Sequence, residues 1–254
     1  MAKKGFSGEL VLLLTALIWG SAFVAQSSGA DSLGAFSFTA LRNVLAVIVL
    51  FPVIALLDRL NGTKPTASEK RIIYKGGAIC GVLLCIAANL QQFAIGYVDA
   101  NGVAEPVGKV SFLTALYIVL VPAFGVFFGR KTDIKTWISV AIACAGMYLL
   151  TGMGGDFSIG GGDLLAIACA AVFALQIIAV DRFAPGVDCV RLSQVQFAVC
   201  GGLSVICALI FEDTRPSAVL DARWAILYCG VMSSGVAYTL QTVGQSAQSP
   251  RYPR

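Results

Sequence analysis

The chain has 254 residues, 57% of them hydrophobic and 13% charged, with a formal net charge of +4 and a mean hydropathy of +0.83. Ordinary soluble domains carry about 25% charged residues, so a water-soluble enzyme or binding domain is excluded and a polytopic membrane protein is expected. No histidine occurs, which removes catalytic triads, histidine-ligated zinc and histidine proton relays.

A spanning helix needs about 20 mostly apolar residues. Eight runs have this character: 10–26, 36–57, 76–98, 110–129, 136–152, 164–180, 192–211 and 224–245. The predicted fold class is therefore an all-α polytopic membrane protein of about eight transmembrane helices. No alternating pattern supports barrel strands, whose segments would be about 10 residues long.

The first run follows Lys3 and Lys4 and is followed by Ser27, Ser28 and Gly29, the flanks of a secretory leader. Its apolar core is longer than the usual leader's, about 7–15 residues, so a spanning helix is the preferred reading. Trp19 lies nine residues into it, near the midplane at about 1.5 Å per residue.

The second run contains Arg42, the one permanent charge inside any run. Burying an arginine at the bilayer centre costs about 2.5–3.5 kcal/mol on insertion scales. Arg42 therefore either snorkels to headgroups or faces a cavity, where it would attract an anionic group.

The third run carries Asn89, Gln91 and Gln92, amides that would leave donors unsatisfied against lipid and so should face protein or water. The fourth opens beside Lys109, a flexible ammonium suited either to solvating itself or to drawing in a carboxylate. Trp137 and Trp224 begin the fifth and eighth runs, where amphipathic rings anchor helix ends. Gln176 and Tyr238 place polar groups deep in the sixth and eighth.

Seven of the eight cysteines, all but Cys189, lie within apolar runs and no pair has metal-ligand spacing, so they read as small packing residues. Gly77 with Gly81, and Gly125 with Gly129, have the small-xxx-small spacing that allows close helix approach.

Fourteen of the eighteen Lys and Arg residues fall in the terminal and alternate loop segments that share one side of an eight-span chain. Cytoplasmic loops are enriched in these residues, which predicts both termini in the cytoplasm. The same bias explains the net charge through attraction to anionic lipid, with no nucleic-acid partner.

Gly8-Glu9-Leu10 recurs as Gly162-Asp163-Leu164, an offset of 154 that also brings Trp19 onto Phe173, Ala22 onto Gln176 and Arg42 onto Gln196. In the later helix the register drifts to 150, where Leu90-Gln91 meets Leu240-Gln241. Five spans separate the copies, so they face opposite ways, the design of many transporters.

Ala16-Leu17-Ile18-Trp19-Gly20-Ser21-Ala22-Phe23, Phe38-Thr39-Ala40-Leu41-Arg42, Gly108 through Tyr117 with Val121-Pro122, and Trp137-Ile138 with Ala145-Gly146-Met147 resemble the EamA-type branch of the drug/metabolite transporter superfamily. The resemblance covers essentially the whole chain. It implies a metabolite permease, usually an exporter, of ten helices in two inverted five-helix repeats around a central cavity.

Two departures stand out. Gly129-Arg130 occupies the place of a frequent Gly-Glu pair, and the polar, proline-bearing 246–254 follows the eighth run where two more helices would come. The expected organisation is a first repeat over 1–152, three helices of a second over 153–245, and a polar tail. Such a chain would be truncated, or completed by a partner chain or a second copy.

Trp19, Arg42, Gln91, Gln92, Lys109, Gln176, Tyr238 and Gln241 are the expected substrate-lining residues; for Trp19 and Lys109 the weight comes from the resemblance, and for Gln241 from the repeat. The expected ligand is a small organic metabolite, bound near the midplane of a cytoplasmic membrane of bacterial type and in contact with its lipid. No catalytic residue, metal or cofactor is expected.

Two rival readings remain. One is a fragment that folds without transporting. The other is a membrane-embedded enzyme, for which Asp99 and Glu105 form a poor candidate site. Proton coupling would have to use Glu105 or Asp99 at the outer end or Asp181 at the inner end of the sixth helix. A phosphate-cradling glycine loop is missing, so no ATP drive is expected.

Overall fold

The computed structural model describes residues 3–61, 65–127, 129, 133–151 and 160–248. It is an all-α polytopic membrane protein, with 86% of the described residues helical. The long helices are α1 (Lys3–Ala30), α2 (Ala35–Asn61), α3 (Ala67–Ile95), α6 (Ile134–Thr151), α7 (Gly161–Phe183) and α8 (Cys189–Phe211). The fourth span is broken at Leu116 into α4 (Val107–Ala115) and α5 (Tyr117–Phe127). A short α9 (Pro216–Asp221) precedes the last span, which is α10 (Arg223–Tyr228), a π-helical segment Cys229–Tyr238 and α11 (Thr239–Gln248).

Among the described residues, six spans are long and apolar enough to cross a bilayer as helices, counting Val107–Phe127 as one; Ile134–Gly146 is shorter. The eight sequence-predicted runs are all helical where described, with shifted ends. The third begins at Ala67 rather than 76, because Thr66 and Glu69 form a reciprocal capping box. It ends at Ile95, where Gly96 caps it and Tyr97 and Val98 leave for a hairpin closed by an isolated Val98–Ala104 bridge. Backbone N–H groups of Val103 and Asn101 donate to Asp99 in that hairpin and hold its carboxyl below the usual carboxylate range.

Polar 246–248 prolongs the last helix instead of leaving it; Gly129 has a positive φ of 75°, and Arg130 and 249–254 lie outside the described residues.

The core sits where α2, α3, α7, α8 and the last span meet, around Leu50, Leu84, Phe173, Phe197 and Tyr238. Small residues let these helices approach closely. A β-carbon on Gly81 would stand 2.7 Å from the Gln196 carbonyl oxygen of α8, and one on Gly230 would stand 3.0 Å from the Arg42 carbonyl oxygen of α2.

Helix connections gather at two ends. At one, Gly34 faces Glu212, Tyr97 faces Gly161 and Glu105 faces Gly162; at the other, Arg191 binds Asp58 and Ser246 donates to the Ala184 carbonyl. α7 thus starts at the end where α1 stops. Helix neighbours follow the same exchange: α2 packs on α8, α3 on α7 as the last span does on α1, and α3 on α8 as the π segment does on α2.

Candidate functional site

A cavity of about 90 Å³ lies among α1, α3, α4, α5, α7 and the last span. Trp19 and Phe23 of α1 line it, as do Phe173 and Ile177 of α7, each 154 positions later. Gln91 of α3 and Gln241 of α11 form a third pair, and Gln176, Tyr238, Thr114, Ser111, Ala115 and Tyr117 complete the wall. Positions 154 or 150 apart along the chain therefore meet at one space.

The wall is aromatic and neutral. Trp19 and Tyr238 rings lie 4.8 Å apart at 60°, and Tyr238 meets Phe197 edge-on at 6.0 Å. Gln176 donates to the Gln196 side-chain oxygen at 3.3 Å. Trp19 Nε1, Gln176 Oε1 and Gln241 Oε1 are buried without a hydrogen-bond partner. Buried polar atoms almost always have partners, so this cluster has the donors and acceptors to hold a polar ligand or ordered water.

Of the eight expected lining residues, the structure brings five together here: Trp19, Gln91, Gln176, Tyr238 and Gln241. Arg42 and Gln92 lie outside the cavity wall, joined to each other through Gln26. Arg42 Nη1 donates to Gln26 Oε1 at 2.9 Å, and Gln92 Nε2 donates to the Gln26 carbonyl at 3.0 Å, tying α1, α2 and α3. Arg42 is 2% exposed, with its Nε unpartnered and the Phe38 ring 5.9 Å away. It is buried among helices rather than snorkelling.

Lys109 is also outside the cavity wall. It binds Asp163 at 2.6 Å and Glu105 at 3.1 Å, joining the start of α4 to the start of α7. Asp163 is buried and also accepts the Gly160 N–H at 2.7 Å, which closes the first turn of α7. Asn89, also away from the cavity, donates to the Cys85 carbonyl and to Ser204 of α8.

Sequence reasoning did not place Phe23, Ser111, Thr114, Ala115, Tyr117, Phe173 or Ile177 among the lining residues. Phe23 and Ile177 were within reach, because they sit one turn beyond the Trp19–Phe173 pair at the same offset; nothing local singles out Thr114. A larger hollow of about 320 Å³ lies between 32–34 and 212–218. It is formed by connecting segments, and its Glu212 is already engaged by the N-terminus of α2.

Residues 6–152 match the EamA-like transporter family. The chain belongs to that family. An uncharacterized transporter of Archaeoglobus fulgidus is 27% identical to this EamA-like chain over 181 residues, 71% of this chain and 51% of that protein. The chain thus spans about half the length of the curated relative it matches. A solved crystal structure shares the EamA-like chain's fold with a TM-score of 0.69 at 20% identity, covering 94% of this chain and 79% of that one. An EamA-like protein with these apolar helices is an integral membrane protein.

Proposed function

We propose that this chain is a permease, or exporter, of small organic metabolites that binds its solute in the Trp19–Gln91–Gln176–Gln241 cavity and works by alternating access. The observation that carries this reading is the cavity wall, in which three pairs of repeat-related positions meet unpartnered polar atoms. Repeat junctions are where many transporters hold substrate. At about 90 Å³ the space holds roughly three waters, whereas ligand pockets measure about 300–1,000 Å³. Admitting a metabolite therefore requires the helices to move apart, and the reading assigns that motion to the two repeats rocking against each other.

The organisation that goes with it is a first inverted repeat over 1–152 and three spans of a second over 153–245. Arg42, buried outside the wall with no carboxylate paired to it among the described residues, favours through its field rather than by contact a metabolite bearing an anionic group. The loop charge bias favours a bacterial cytoplasmic membrane with both termini inside.

The open face of α1 supports a further pair of spans packed against it. Ala16, Leu17, Gly20, Ser21 and Val24 are exposed, whereas their counterparts Ala170, Ala171, Ala174, Leu175 and Ile178 are buried or half-buried on α7, on which α4 and α5 pack.

A thermal-shift screen of the purified protein against amino acids, nucleotides and amphipathic cations, followed by vesicle counterflow of any stabilising compound, tests the reading. A ligand present at about 100 times its Kd stabilises by about 2.7 kcal/mol. Stabilisation by one class, roughly halved in Gln91→Ala at that concentration and weakened in Arg42→Ala, is expected. Flux unchanged in both variants would sink the site assignment.

A further inference from the structure

We infer that the last span carries one residue more than its counterpart α3, and that the π-helical segment Cys229–Tyr238 absorbs it so that Gln241 stays aimed into the cavity opposite Gln91. This rests on reading the cavity as the binding site; the register argument itself comes from backbone packing.

Two glycines fix the start of the comparison. A β-carbon on Gly81 would meet the Gln196 carbonyl oxygen and Val199 Cβ of α8, and one on Gly230 would meet the Arg42 carbonyl oxygen and Leu45 Cβ of α2. Gln196 and Val199 are Arg42 and Leu45 displaced by the same 154 positions. Gly81 and Gly230 therefore occupy matching places, each the close-approach point against a neighbour that runs parallel to it.

Two glutamines fix the end, since Gln91 and Gln241 both line the cavity. Gly81 to Gln91 is ten positions and Gly230 to Gln241 is eleven. In a plain α-helix of 3.6 residues per turn, one extra residue turns everything beyond it by about 100°. That would carry Gln241 off the cavity. α3 is α-helical throughout this stretch, whereas the last span is π-helical over Cys229–Tyr238. A π-bulge is the helical form that takes up an added residue, and such bulges are frequent at functional sites. Its middle is made of small residues, Ser233, Ser234 and Gly235, all buried, so its wider turns fit between α1 and α2.

The experiment is single-residue deletion with a cross-link that reads register. Ser193 Oγ and Thr242 Oγ1 lie 3.2 Å apart, beyond the π segment, so Ser193→Cys with Thr242→Cys forms a disulfide when α11 keeps its facing. In the membrane-embedded chain, deletion of Ser233, or independently of Ser234, should convert the segment to α-helix and leave cross-link yield within twofold of the parent, by peptide mapping. Deletion of Leu240, outside the segment, should lower it at least tenfold. If both serine deletions lose the cross-link, or the monodisperse protein, as completely as the Leu240 deletion, the inference is overturned. No ligand enters this measurement. A cavity variant such as Gln91→Ala that leaves binding intact would therefore overturn the functional reading without touching the register.

Discussion

Asp58 and Glu212, 154 positions apart, hold opposite ends of the same helix pair. Glu212, just past α8, accepts the N–H groups of Phe36 and Ser37 at the start of α2 at 2.9 and 2.8 Å, with the Ser37 hydroxyl at 2.5 Å. Asp58, near the end of α2, receives Arg191 in the first turn of α8 at 2.7 and 2.8 Å. Ser37 and Arg191 are themselves 154 apart, so one clasp is written twice, at opposite ends.

Removing the Glu212 clasp exposes two helix N-terminal donors that a carboxylate satisfies well. Glu212→Ala should lower stability by about 1.5–3 kcal/mol, the range for hydrogen bonds to a charged group. Glu212→Gln, which keeps an acceptor, should lose less. Melting of the detergent-purified protein measures both, and equal losses would show that the charge contributes nothing. The Arg191 clasp is partly exposed, so Asp58→Asn should cost only about 1 kcal/mol and less at high salt.

Lys109 and Asp163 form an unequal pair, the lysine a third exposed and the carboxylate buried. Lys109→Met leaves that carboxylate with the Gly160 N–H and no cation from Lys109. Stranding a buried charge costs about 3–5 kcal/mol, discounted here toward about 2 because the lysine reaches solvent. Asp163→Asn in the Lys109→Met background should recover part of the loss, and additive losses in the double-mutant cycle would refute the pairing.

Glycine substitutions separate packing from mere presence. Gly81→Ala drives a β-carbon against the Gln196 backbone and should cost about 1–3 kcal/mol, as overpacking does. Gly20→Ala meets nothing within 4 Å, and a site free of such features should shift stability by no more than about 0.5 kcal/mol. Guanidinium-free thermal melts of the two variants should differ by several degrees.

At the cavity, Gln91→Ala and Gln241→Ala each remove an amide from a neutral wall. A ligand group left without its partner loses about 1–3 kcal/mol, so affinity should fall roughly tenfold, at 1.4 kcal/mol per decade. Isothermal titration with a compound found by thermal shift checks this, and a change below twofold for both variants would remove them from the site.

The chain's membrane character, eight apolar runs and family resemblance were legible residue by residue. Hydropathy is local, and the Trp19, Arg42 and Lys109 motifs read the same wherever they sit. The capping box of Thr66 and Glu69 was equally local, yet a search for apolar length passed over it because it extends the helix into polar sequence.

What the sequence could not decide was which polar side chains share a space. A spanning helix is apolar toward lipid and toward its neighbours alike, so the contrast that marks the inward face of a soluble helix is lost. Arg42, Gln92 and Lys109 looked as suited to a cavity as Gln91. Packing alone sent the first two to Gln26 and the third to Asp163 and Glu105. The π segment is likewise a tertiary outcome: eleven positions between Gly230 and Gln241 gain meaning only when α2 fixes the glycine and the cavity fixes the glutamine.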